Sequence, residues 1–271
     1  FYRAREYEQA WKDHEKMLRN SSRRARRSNL LSAAPRRDLE LETLAQILRS
    51  ERFVTCHSYR QDEINMLMHV ADSMGFTINT FTHILEGYKV ADKMAEHGAG
   101  GSSFSDWWAY KYEVKDAIPY NGAVLHGQGI VTAFNSDDAE MARRLNQEAA
   151  KAVKYGGVSE EEALKFVTLN PAKLLRIDHM VGSIEVGKHA DVVLWDEHPL
   201  SVYARPEQTY VDGVKYFDLQ ADLEKREWMR SERARLTQAM KTGGSSAGPP
   251  RPPTEKLKTH YHCETLTDEN R

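Results

Sequence analysis

The chain has 271 residues, of which 38 are basic and 40 acidic, for a formal net charge of −2. That balance gives no general electrostatic reason to expect nucleic-acid binding or a polybasic membrane anchor. Two cysteines, Cys56 and Cys263, exclude a disulfide framework and a cysteine-rich zinc module, and no apolar run approaches the ~18–20 residues that span a bilayer. The length suits one large domain or two ordinary ones. The first residue is Phe1 and no signal-peptide pattern follows it. The chain therefore reads as part of a longer polypeptide, and its compartment is not legible.

Tyr7, Ala10, Trp11, His14 and Leu18 keep helical spacing, so residues 1–18 read as a helix. The run Arg23-Arg24-Ala25-Arg26-Arg27 reads as a solvated loop; an anionic-surface patch is the sharper alternative, and it predicts salt-sensitive retention on nucleic acid. Pro35 and Asp38 open a second helix through Leu48. A strand–helix rhythm follows. Phe53 to His57 is a short β-rich run. Asp62 is placed to cap a helix with Ile64, Leu67, Met68, Ala71 and Met74 on one face, ending at Gly75. Phe76 to His83 alternates as the next strand. Tyr88 to Ala95 is helical and stops at Gly98. Gly98 to Ser103 is a third short strand, and Gly129 to Asn135 a fourth. A helix over 138–155 ends at Gly156-Gly157.

Strands alternating with helices of ~10–15 residues imply parallel βαβ units. Four such units in this length make half of an eightfold barrel, because a whole one takes ~250 residues. An open doubly wound sheet is the alternative, but neither G-x-G-x-x-G nor G-x-x-x-x-G-K-[ST] occurs. Ser159-Glu160-Glu161-Glu162 reads as a capping box, and Asn170-Pro171 as the opening of a short helix. The pattern then changes. Val181–Glu185, Ala190–Trp195, Gln208–Asp212 and Val214–Phe217 read as short antiparallel strands with glycine turns. Residues 219–241 are a charged helix, and the Gly-, Ser- and Pro-rich run from 243 to 271 reads as disordered.

The chain holds eleven histidines, and most have structural explanations. His14, His69, His97, His179, His189 and His198 fall on helix faces or loops, and His260-Tyr261-His262-Cys263 lies in the tail. Three residues stand apart by position. His57 ends the first strand, His83 ends the second, and Asp137 follows the fourth. In a parallel barrel the carboxyl ends of all strands surround one mouth. Two imidazoles and a carboxylate gathered there form a partial metal site suited to zinc or a similar divalent ion. A strand-end histidine bonded into the core is the competing reading. Cys56 directly precedes His57 on one strand, so their side chains point to opposite faces. There is no G-x-S-x-G elbow, and Asp138 reads as a helix cap beside Asp137.

Four runs carry a family resemblance: Gly157-Val158-Ser159-Glu160-Glu161-Glu162-Ala163-Leu164, Thr168-Leu169-Asn170-Pro171-Ala172, Gly182-Ser183-Ile184-Glu185-Val186-Gly187-Lys188 and Ala190-Asp191-Val192-Val193. The chain resembles the C-terminal part of a metal-dependent amidohydrolase of the imidazolonepropionase-like and prolidase-like group, over roughly residues 40–217. The resemblance implies an α/β chain built as the C-terminal half of a (β/α)8 TIM-like barrel, strands five to eight, over 1–177. Part of the flanking β-sandwich follows over 178–218, then the charged helix over 219–242 and the tail over 243–271. It implies that His57 and His83 are the metal ligands of strands five and six, and that Asp137 is the strand-eight residue that contacts the metal and moves the proton.

The cofactor implied is one or two divalent metal ions, with zinc the natural candidate. The substrate implied is a small amide, cyclic or dipeptidic, cleaved at a C–N bond by an activated water. The family's His-x-His pair and strand-four ligand have no counterpart here, so the implied partner is the N-terminal half of the same protein, with homo-oligomerisation open and the isolated segment expected to be inactive and to associate. Tyr59 and Arg60 follow His57 closely and are placed to meet a substrate carboxylate; a surface turn is the other reading. Against all of this stands a non-catalytic alternative, a degenerate barrel serving as a scaffold or binding module.

Overall fold

A computed structural model of the chain describes residues 1–21, 33–107 and 111–243. The Arg23–Arg27 run, Trp108 and Tyr110, and the tail with His260, His262 and Cys263 lie outside the described residues.

The four β-rich runs form one parallel sheet: β1 (Val54–His57), β2 (Ile78–Thr82), β3 (Gly100–Ser103) and β4 (Thr132–Phe134). Their spatial order is β1-β2-β3-β4, the same as their order in the chain. A doubly wound sheet reverses direction at a switch point. None occurs among these strands, and the α/β arrangement is compatible with part of a barrel.

Two N-terminal helices, α1 (Tyr2–Asn20) and α2 (Leu39–Leu48), precede the sheet. Asp38 caps α2, accepting the Glu40 and Leu41 N–H groups at 3.1 Å. Helix α3 (Gln61–Met74) joins β1 to β2 and buries Ile64, Met68 and Ala71. It stops at Gly75, which adopts a left-handed cap with φ 71° that a side chain would strain. The helix expected after β2 is a 3₁₀ turn, Gly87–Val90, followed by α4 (Ala91–His97). These elements close over Phe76, Ile78, Phe81, Ile84 and Met94, together with Leu125 of α5 (Asn121–Gly127), which forms the main core.

The helix expected over 138–155 is two. Asp138 caps α6 (Ala139–Ala142), and α7 (Leu145–Gly156) starts after a break at Arg143 and Arg144, where Arg144 leaves helical backbone at φ −127°. Ser159 caps α8 (Glu160–Lys165) through the Glu162 N–H at 3.3 Å. The reciprocal half of the box is not made, because the Glu162 carboxylate takes Lys165 instead at 2.6 Å. Helix α9 (Leu169–Leu174) begins one residue before Asn170, which does not cap it. The buried Asn170 amide donates across to the Thr132 carbonyl at 2.8 Å, tying α9 to β4. Phe134, Ala152, Val158, Ala163 and Phe166 pack into a second core between β4 and these helices.

After α9 a three-stranded antiparallel sheet forms from β5 (Val192–Trp195), β6 (Pro206–Val211) and β7 (Val214–Asp218). Asp212 and Gly213, with φ 50° and 75°, make the two-residue hairpin loop whose twist matches its strands. The run Val181–Glu185 is not a strand. It turns at Gly182 and Gly187, and Ser183, Glu185 and Lys188 bond one another.

The chain divides into two compact units at Asp218 and Leu219. In the second, helix α10 (Leu219–Thr242) carries internal pairs Arg226–Asp222, Arg230–Glu227 and Arg235–Glu232 at helical spacing. No helix among the described residues is long and apolar enough to cross a membrane.

Candidate functional site

Parallel strands deliver their carboxyl ends to one edge of the sheet, and there the chain concentrates its chemistry. His57 is the last residue of β1, and His83 follows β2 directly. Their rings meet with Nδ1 of His57 and Nε2 of His83 at 2.7 Å, so one nitrogen carries a proton and the other accepts it. His83 and Asp137 are two of five non-glycine residues with positive φ among the described residues, at 51° and 48°. Such backbone is costly and collects where side-chain direction matters.

The two rings differ in setting. His57 is exposed, whereas His83 is 5% exposed and its buried Nδ1 has no hydrogen-bond partner among the described residues. Burial pushes the His83 pKa down, and the neighbouring His57 charge adds to this; the Asp137 charge acts in the opposite direction. His83 is therefore held in the neutral form that a metal-ligating imidazole needs. Asp137 is exposed, and its Oδ1 accepts the Asn135 amide at 3.0 Å. Its neighbour Asp138 spends its carboxylate on the α6 cap, so the two acids serve different ends.

Aromatic side chains wall the pair. Tyr59 stacks on His83 with centroids 4.2 Å apart, and the Lys111 ammonium lies 3.7 Å over the Tyr59 ring. Phe104 stacks farther off at 6.3 Å and leans on Trp107. Arg60 is not drawn in: its guanidinium forks onto Asp62 at 3.1 and 2.8 Å. Asp62 does not cap α3, because the helix starts one residue before it and Arg60 holds the cap position. Cys56 packs against the main core, where burial raises its thiol pKa. His97 is structural: Nε2 accepts the Ile78 N–H at 2.9 Å and Nδ1 meets Asp72 at 2.6 Å.

Sequence reasoning passed over Asn121. It is 1% exposed and satisfied on three sides, accepting the Tyr88 N–H at 2.9 Å and donating to the Ile84 carbonyl and the Ser103 hydroxyl, each at 2.8 Å. It thereby braces the segment after His83 against the end of β3. The only local signal is a Pro-Tyr-Asn-Gly run that reads as a turn.

His57 and His83 present two imidazole nitrogens to one point, and Asp137 supplies a carboxylate whose charge reaches His83. This donor chemistry suits a divalent ion of the zinc type. Among the described residues, no group of three or more His, Cys, Asp or Glu is arranged to hold an ion by itself. The two histidines alone are fewer donors than such an ion takes.

A model of the amidohydrolase family matches residues 55–227, from β1 into α10. The chain belongs to the amidohydrolase family. This amidohydrolase chain is 32% identical over 186 residues to the amidohydrolase TasK of Hapsidospora irregularis, a match covering 67% of the chain and 19% of that protein. It is 37% identical over 109 residues to the urease alpha subunit of Yersinia pestis strain Pestoides F, covering 34% of the chain and 18% of the subunit. The crystal structure of an amidohydrolase from Thermotoga maritima MSB8 superposes with a TM-score of 0.61 at 30% identity, over 79% of this chain and 54% of that one. The chain thus spans about a fifth of the length of these curated relatives.

Proposed function

We propose that the protein to which this chain belongs is a metal-dependent hydrolase that cleaves a C–N bond in a small amide or a dipeptide. In this reading β1–β4 are the last four strands of a (β/α)8 barrel, and β5–β7 are part of the flanking sandwich. The carrying observation is the 2.7 Å approach of His57 Nδ1 to His83 Nε2 at the carboxyl edge of a parallel sheet, with Asp137 at the same edge. Family membership supports the same chemistry.

A divalent ion bound there would lower the pKa of a water and polarise the scissile carbonyl. His57 and His83 would hold it, His83 being kept neutral by its burial. Asp137 accepts a proton from the attacking water and returns it to the departing nitrogen, so that C–N is exchanged for C–O and N–H. Its carboxylate is exposed at that edge, as this role requires. The Tyr59 ring, with His83 stacked on one face and the Lys111 ammonium over the other, places a positive charge beside the pair.

Elemental analysis of the intact protein tests the proposal. One or two equivalents of zinc or another divalent metal are expected in the wild type, with substantial loss in His57→Ala and His83→Ala. Full metal content in both variants removes the assignment. A protein free of metal and of hydrolytic activity supports the scaffold reading instead.

A further inference from the structure

His57 ends β1 and His83 follows β2, and the strands are laddered up to that point, His57 opposite Thr82 and the Ser58 N–H donating to the Thr82 carbonyl at 3.3 Å; beyond the ladder each histidine is followed by its own loop. The first runs through Ser58, Tyr59 and Arg60 into α3; the second runs from His83 to Glu86. Helix α3 opens at Gln61, and the residue before it, Arg60, makes no side-chain cap. The cap comes from the other loop: Glu86 Oε2 accepts the Gln61 N–H at 3.1 Å. The backbone N–H of Glu86 donates to the Tyr59 carbonyl at 3.1 Å. One residue therefore grips its neighbour loop twice, by main chain and by side chain, at positions two apart.

Glu86 is 7% exposed, a setting in which a carboxylate persists only with partners. It has the Gln61 N–H, the positive end of α3 and the Lys89 ammonium at 3.4 Å. The stack of Tyr59 on His83 spans the same two loops. Sliding either loop along the sheet edge breaks both Glu86 bonds and unstacks that ring.

We infer that Glu86 is a positioning residue that sets the distance between His57 and His83 by clamping the loop after β1 to the loop after β2. The inference rests on the reading that these histidines hold the metal. It assigns a task to a residue that touches neither imidazole.

The test measures zinc affinity by chelator competition in the intact protein, with melting of the metal-free form in parallel. Glu86→Ala is expected to weaken zinc about tenfold or more, the range typical of residues that orient metal ligands. Glu86→Gln keeps an oxygen to accept the Gln61 N–H and should restore affinity to within about threefold of wild type. Glu86→Asp, one methylene short, should resemble alanine. Wild-type affinity in the alanine and aspartate variants overturns the clamp, and so does a glutamine variant as weak as alanine. If alanine does not fold, the glutamine–aspartate contrast decides alone. His57→Ala separates the two levels: if it binds zinc as the wild type does, the metal reading fails and the clamp loses its task. If it loses zinc while Glu86→Ala does not, only the clamp is wrong.

Discussion

The Asn121 side chain donates to the Ser103 hydroxyl at 2.8 Å, inside a pocket that leaves 1% of the residue exposed. With its bonds to Tyr88 and Ile84, this amide joins the segment after His83, the end of β3 and the start of α5. Each buried group orphaned by its removal costs about 1–3 kcal/mol. Asn121→Ala is expected to lower stability by about 2–4 kcal/mol in denaturant melts. Asn121→Asp should be at least as damaging, because a carboxylate oxygen would then face the Ile84 carbonyl. A shift under about 0.5 kcal/mol, the range of a neutral surface change, would contradict this account.

Asp137 carries the proton in the proposed reaction, and its left-handed backbone turns it out from the end of β4. Asp137→Asn keeps size and shape but cannot take up that proton. Turnover of a panel of dipeptides and acylated amino acids by the intact protein should fall about 10²–10⁴-fold, the range of general acid–base catalysis, with an unchanged circular dichroism spectrum. Retained turnover would move the proton transfer to another group.

Gly122 lies against the second core. A Cβ added there would come within 2.6 and 2.7 Å of the Phe134 ring, closer than side chains approach. Phe134 ends β4, three residues before Asp137, and packs edge-on against Phe166. Overpacking of this kind typically costs 1–3 kcal/mol. Gly122→Ala should show a loss of about that size in urea denaturation, whereas Gly127→Ala, with nothing within 4 Å of the added carbon, should be neutral or mildly stabilising.

The N-terminal helices should dock less firmly in acid. Glu8 bonds Arg49 across 41 residues at 2.8 Å, and Glu42 bonds Arg37 at 2.7 Å. Those guanidinium groups hold both carboxyls below the ordinary value of 4.5. The folded-state pKa values are depressed, so the unfolded chain binds more protons, and the stabilisation is present above 4.5 and lost as pH falls through the lower folded values. The urea midpoint should drop below about pH 4.5. In Glu8→Gln it should be lower at pH 7 and fall less in acid. An identical acid slope in wild type and variant would remove Glu8 from this role.

Much of the arrangement is written locally. The hydrophobic periods of α3 and α7, the caps at Asp38, Asp138 and Ser159, the left-handed stop at Gly75 and the Asp212-Gly213 hairpin depend on neighbours a few residues away. The placement of His57, His83 and Asp137 at strand ends follows from the same short-range pattern, because a parallel sheet gathers its carboxyl ends wherever the strands lie in the chain. Tertiary structure alone decided which ring nitrogens meet, that Asn170 bonds β4 instead of capping its helix, and that Glu86 caps a helix begun 25 residues earlier. The reason is physical: a buried polar group takes whatever partner the packing brings within about 3 Å, and that partner is chosen by strand register and helix docking, which short-range residue patterns do not encode.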